Sequence, residues 1–381
     1  MSTRAACAAA LLAAFAFSAR AGDVADPYPR DDVLRLNHVQ AVGTHNSYHV
    51  RSPLVGHLHE YDYEHAPLDV QLDDQGVRKF ELDLYWDPDL GLFRVHHLNY
   101  VDQETRCEFL YECLETLRDW SLAHRGHHPI FLMIEPKGIY YPLTLSDEPI
   151  CDPPEHEVCH YDDLDAELRS VLAPDGGPNL LIEPDEVRGA HATLREAVLQ
   201  DGWPTLRATR GRFLGAMLGE EDLVGYTAGR PSLEGRALFV AASPGSDAAA
   251  VIFRDDPIGD FDEIQALSAL GYVLRTRTDV LDDAQAGDTT RRDAALASGA
   301  HYLSTDYPVP EYLNNGYFAS IPGGMPSGCN PISTIGLDCG PLDIENPAAL
   351  APEPGGAAAA FAALVWLRRR FRERCQEERR L

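Results

Sequence analysis

Two histidines and three carboxylates in this 381-residue chain are spaced so that proton transfer and metal chemistry could meet in one place. His45 stands beside Asn46 in Gly43-Thr44-His45-Asn46-Ser47, directly after an apolar run. That pairs a proton carrier with a neutral oxygen ligand. Glu81 and Asp83 alternate with Leu82 and Leu84. Alternate side chains of a strand share a face, so both carboxylates point the same way. In a strand covered on both faces this is costly unless a cation compensates, and oxygen ligands favour Ca2+ or Mg2+ over zinc. His96 follows Asp83 by 13 residues, Glu135 closes the apolar run 130–134, and Lys137 follows Glu135 on the same side. A base, an acid, oxygen ligands for a hard cation and cationic groups for phosphoryl oxygens are what phosphodiester cleavage requires. Each string alone reads equally well as a structural histidine or a rim ion pair. Their order along the chain makes the case.

Positioning such a set falls to a series of short apolar runs at 39–43, 79–85, 92–95, 130–134, 212–217, 237–241, 272–275 and 301–303. Segments with helical periodicity lie between most of them, with faces such as Leu164, Leu168, Val171 and Leu172. Eight strands alternating with helices predict an α/β fold, a (β/α)8 TIM barrel with room for distortion. A doubly wound open sheet is the alternative, and the lack of a Gly-rich phosphate loop after the first run lowers it. In a barrel the residues just past the strand ends form the active site. Here these are His45, Asn46, Asp83, His96, His97, Glu135, Lys137, Arg277 and Asp306.

The formal net charge is −28. Residues 1–21 carry +2 and residues 355–381 carry +4, which leaves −34 on residues 22–354. Such a surface repels nucleic acid, so none is expected as a partner. Residues 1–21 read as a signal peptide, with Arg4, an apolar stretch and Ala19-Arg20-Ala21. Residues 331–351 read as a linker. In 352–381, Pro352-Glu353-Pro354 precedes an 11-residue apolar run, 357–367, and an arginine cluster. That run is short for a bilayer span. The order of parts resembles the PEP-CTERM sorting tail of bacteria with two membranes. It implies export to the surface or extracellular matrix, with sorting machinery as a partner. Eight cysteines are present; apart from Cys7 and Cys375 they fall into close pairs, Cys107 with Cys113, Cys151 with Cys159, and Cys329 with Cys339. An even count in an exported chain points to disulfides. Local pairing is preferred among fifteen connectivities, and no CxxC spacing supports a zinc cluster.

The sequence Thr44-His45-Asn46, then Glu81-Leu82-Asp83, then His96, then a strand ending in Glu135, resembles the phosphatidylinositol-specific phospholipase C catalytic barrel. The likeness is greatest to the calcium-dependent bacterial secreted branch. It extends through 71–78, Glu135-Pro136-Lys137, Arg275-Thr276-Arg277-Thr278-Asp279 and Ser304-Thr305-Asp306-Tyr307-Pro308, so it covers residues 33–320. The resemblance implies a catalytic barrel over 22–330, with His45 and His96 as catalytic histidines. It implies Asn46, Glu81, Asp83 and Glu135 as ligands of Ca2+, ahead of Mg2+. The implied reaction is attack of an inositol 2-hydroxyl on its own 1-phosphate, giving cyclic inositol phosphate and diacylglycerol. Lys137 and Arg277 are placed to meet the phosphate. The partners implied are a phospholipid, met in transient contact with a membrane surface, or a soluble phosphodiester. Two competing readings stand beside it. One is a glycerophosphodiester phosphodiesterase or sphingomyelinase D-like barrel. The other is an exported matrix protein that keeps the barrel without activity.

Overall fold

The computed structural model describes residues 26–58, 61–140, 150 and 159–350. The expected signal peptide, Cys7, Cys151, Cys375 and the tail 352–381 lie outside them.

Eleven strands are found among the described residues: β1 (Val39–Thr44), β2 (Lys79–Asp87), β3 (Leu92–Val95), β4 (Ile130–Ile139), β5 (Leu181–Ile182), β6 (Phe213–Met217), β7 (Phe239–Val240), β8 (Val251–Phe253), β9 (Val273–Arg277), β10 (Tyr302–Thr305) and β11 (Ser327–Cys329). Parallel pairing runs β7-β6-β4-β2-β1-β10-β9-β8. A single parallel bridge, Ala241 with Val251, joins β7 to β8 and closes the ring. The result is an eight-stranded parallel barrel with one thin seam, inside an α/β fold. Helices such as Leu110–Ala123, Tyr161–Leu172, Leu194–Gln200 and Phe261–Leu270 cover it, each burying an apolar face.

Seven of the eight expected strands are barrel strands. The run 92–95 is not: β3 pairs antiparallel with β2 as a hairpin. Only four residues separate β2 from β3, and a parallel crossover needs about a dozen. Its place in the barrel goes to β8, whose three residues are too few to show a period.

Layers of side chains fill the barrel. Low in it, Phe131 of β4 stacks on Tyr302 of β10 at 4.5 Å. Above them the lining turns ionic, with Lys79 and Glu81 from β2 and Arg275 from β9, all buried. Gly43 of β1 is required here, since a Cβ would stand 2.2 Å from that of Lys79. Higher still, β2 and β4 slip register between Leu84 and Tyr85, where Pro136 faces Leu84 and Gly138 faces Tyr85. Lys137 is the extra residue of this bulge, and bulges re-aim side chains beside active sites.

Chain beyond β10 returns to the base of the barrel. β11 pairs with β1, Cys329 is bonded to Cys339, and Ile344 and Glu345 are fully buried. The segment expected as a linker thus packs on the barrel over 331–350. Cys107 is bonded to Cys113, and Cys159 is also in a disulfide. No helix among the described residues is long and apolar enough to cross a membrane.

Candidate active site

β1 ends in a tight turn. Asn46 takes a left-handed conformation, with φ 44°, which asparagine tolerates better than most residues. The turn sets His45 on the rim of the barrel. His45 Nδ1 lies 2.8 Å from Asp306 Oδ1, past the end of β10, and Nε2 lies 3.5 Å from Glu81 Oε1. Asp306 also pairs with Arg277 at 3.3 Å. One edge of the imidazole is therefore held and the other faces the carboxylates. Asn46 donates its amide nitrogen to Tyr63 Oη at 2.8 Å, which leaves the amide oxygen as the end available to a cation.

The two carboxylates of β2 sit in opposite electrostatic settings. Burial works against the charge of Glu81. Lys79, His45 and Arg275 outweigh it and hold the carboxyl well below its usual range. Lys79 Nζ is 2.5 Å from Glu81 Oε2 and Arg275 is 3.4 Å away. Burial in turn pushes Lys79 down to about 8. Asp83 goes the other way: burial first, then the nearby Glu135 carboxylate, push it up, and Lys137 only partly offsets them. Neither Asp83 oxygen has a hydrogen-bond partner. Lys137 Nζ rests 2.7 Å from Glu135 and 3.5 Å from Asp83.

Glu81, Asp83 and Glu135 each offer an oxygen, and these lie within 4.8 Å of one another. Two bare buried oxygens on Asp83, three converging carboxylates and the adjacent Asn46 amide form a donor set of hard oxygens, which fits a Ca2+-type cation.

His96 arrives by another route. The β2–β3 hairpin carries it back beside the barrel mouth, where it stacks on Tyr85 at 4.4 Å. Nε2 meets Asn99 Oδ1 at 2.8 Å, and burial pushes its pKa down to about 4.

The structure thus brings His45, Asn46, Glu81, Asp83, Glu135, Lys137 and Arg277 to one rim, with His96 entering from the hairpin. Lys137 and Arg277 both rest on carboxylates. Asp306 was expected at a strand end, but Lys79, Arg275, Tyr63 and Asn99 were not legible as site residues. Lys79 carried a signal, since it shares the face of Glu81 and Asp83 by alternation. The others depend on contacts between distant segments.

The family described as Phosphoinositide phospholipase C, Ca2+-dependent, matches residues 34–96 and 92–331. Among solved structures, the chain is similar to the calcium-dependent phosphoinositol-specific phospholipase C of Pseudomonas sp, at 18% identity and a TM-score of 0.54, over 79% of this chain and 97% of that one. The Ca2+-dependent phosphatidylinositol-specific phospholipase C of Streptomyces antibioticus is 21% identical over 72% of this chain and 96% of that one, with a TM-score of 0.49. No curated protein matches the chain. Together with the oxygen-ligand set at the barrel mouth, the family match over most of the sequence places this chain in the calcium-dependent phosphoinositide phospholipase C family of phosphoric diester hydrolases.

Proposed function

We propose that this chain cleaves phosphatidylinositol, or a closely related inositol phosphodiester, by intramolecular attack of the 2-hydroxyl. The observation that carries this reading is the ring of His45, held through Nδ1 by Asp306 while Nε2 faces Glu81. A histidine held at one nitrogen presents the other as a general base.

In this reading Nε2 of His45 takes the proton of the inositol 2-hydroxyl. The 2-oxygen bonds to the 1-phosphorus as the bond to the glycerol oxygen breaks. His96, oriented by Asn99, delivers a proton to that leaving oxygen. Its depressed pKa makes it a strong donor once a phosphate alongside has drawn a proton to it. Asn46, Glu81, Asp83 and Glu135 hold Ca2+, which when bound acidifies the attacking hydroxyl and offsets phosphate charge. Arg277 and Lys137 supply positive charge to the phosphoryl oxygens. Lys79 and Arg275 keep Glu81 ionised for its ligand role. Residues 1–21 direct export, and 352–381 act as a sorting tail.

The test is a 31P NMR product assay on phosphatidylinositol and on glycerophosphoinositol, with Ca2+ and with chelator. A cyclic inositol phosphate formed only with Ca2+ is the expected result. A linear product from the first bond broken, or turnover that ignores the chelator, would overturn the proposal.

A further inference from the structure

A second group of metal-ligating side chains lies outside the carboxylate site. His49 sits four residues past His45, and His97 and Asp102 flank a tight turn whose ends pair as Leu98 with Asp102. His49 Nε2 lies 3.2 and 3.0 Å from the two oxygens of Asp102, and His97 Nδ1 lies 2.8 Å from Oδ2. One ligand atom from each residue lies within 4.8 Å of the others. The side chains of His49 and Asp102 are fully buried, and that of His97 is 21% exposed.

The hydrogen count at His49 is informative. Its Nδ1 faces the carbonyl oxygen of Tyr63 at 3.1 Å, and a carbonyl only accepts, so Nδ1 carries the hydrogen. Nε2 of the neutral ring then presents a lone pair to an ionised carboxylate, which has only lone pairs to offer. Two buried acceptors face to face require a cation between them, either a second proton on His49 or a metal ion. A backbone carbonyl holding one ring nitrogen, so that the other offers its lone pair, is the support that metal-binding histidines have. Spacing agrees: ligands about 2.0 Å from a tetrahedral ion stand roughly 3.3 Å apart, so an opening of a few tenths of an ångström admits one.

We infer that His49, His97 and Asp102 form a second metal site, for a borderline divalent cation of the Zn2+ class, with its open coordination position on the exposed side of His97. Two imidazoles and one carboxylate select such an ion over Ca2+, which prefers six or more oxygens. The site is a clip between two functional segments. The ring of His49 stacks on Tyr63 at 4.2 Å, and Tyr63 holds Asn46. The turn bearing His97 and Asp102 also bears Asn99, which holds His96. A bound ion fixes both segments without touching substrate, so its ligands are positioning residues.

The test is a Zn2+ titration of the full chain by calorimetry in saturating Ca2+, with Co2+ as an optical probe. One equivalent is expected, with visible Co2+ bands of a nitrogen-ligated site. His97→Ala, a partly exposed position that the fold tolerates, weakens that equivalent by about 100-fold or more. Asp83→Asn, at the carboxylate site, leaves it intact. No equivalent above background, or one that survives His97→Ala, overturns the site. The first result means that a proton bridges His49 and Asp102; the second means an adventitious ion only. Neither outcome bears on the phosphodiesterase reading.

Discussion

Arg78 and Lys79 are neighbours in sequence, yet they enter two buried ionic clusters of opposite character. Arg78 turns toward the barrel base. Its Nε bonds Glu345 at 3.0 Å, its Nη2 also bonds Glu345, and its Nη1 bonds the carbonyls of Leu72 and Val77. His128 stands 3.7 Å from the same carboxylate. Burial opposes the charge of Glu345, but Arg78, His128 and His127 bring its pKa down to about 2. Lys79 turns into the barrel, toward a cluster that is left incomplete: Asp83 has bare oxygens and Lys137 is shared between two carboxylates. A cluster whose central charges, Arg78 and Glu345, neutralise each other through direct hydrogen bonds serves stability. A cluster with buried acceptors left over is organised around something the protein binds.

The largest expected effect breaks the mouth without disturbing the base. His45→Ala should lower kcat by about 10^3-fold, within the usual range for general acid–base groups. Circular dichroism should show its melting temperature nearly unchanged, because the ring is on the rim. Wild-type turnover in this variant would refute the role given to His45.

Glu345→Ala breaks the base instead. It strands Arg78 in a buried site, and loss of one partner of such a pair costs about 3–5 kcal/mol. Urea unfolding should show that loss, with little change in KM of the folded fraction. A loss under 1 kcal/mol would mean the return segment contributes little.

Acid should weaken the molecule. Burial lowers His127 and His301 to about 3 and His128 to about 4. Their ordinary value is about 6.5, so the unfolded chain binds more protons between the two. Stability from these groups is fully present above about pH 6.5 and drains away as pH falls toward 3–4. A calorimetric series should show stability falling continuously across that window. A flat profile would contradict it.

The smallest effect sharpens the contrast. Saturating Ca2+ should stabilise the wild type by about 2.7 kcal/mol at a hundredfold excess over Kd. Asp83→Asn should lose most of that gain. Without Ca2+ the variant should be as stable as the wild type or up to about 1 kcal/mol more stable, since one of the crowded charges is gone. Thermal shifts with Ca2+ and with chelator read both arms.

Much of this was legible in the sequence. Alternation placed Glu81 and Asp83 on one face, and seven barrel strands showed as short apolar runs. His45 and Asn46 were found just past the end of β1, where the structure has them, whereas Glu135 and Lys137, expected at a strand end, lie within β4, which runs on to Ile139. The failures have definite causes. The run 92–95 looks like any other strand, and only the shortness of its connection marks a hairpin. β8 is three residues long, below the length at which a period is visible. His97 was placed at a strand end without a role and Asp102 carries no local signal, because His49 joins them from 53 residues before Asp102.

Residue type and local spacing therefore determined which side chains carry chemistry, and strand alternation determined which of them share a face. Tertiary structure decided their states. Asp306 comes 261 residues after the histidine it orients. Arg78 and Lys79 part company because the pleat sends consecutive side chains to opposite sides. Whether a carboxylate is held ionised, like Glu81, or crowded, like Asp83, depends in large part on groups delivered from other segments, His45 and Arg275 to Glu81 and Glu135 to Asp83. Apart from Lys79, two residues before Glu81, those partners lie outside any local window of the chain.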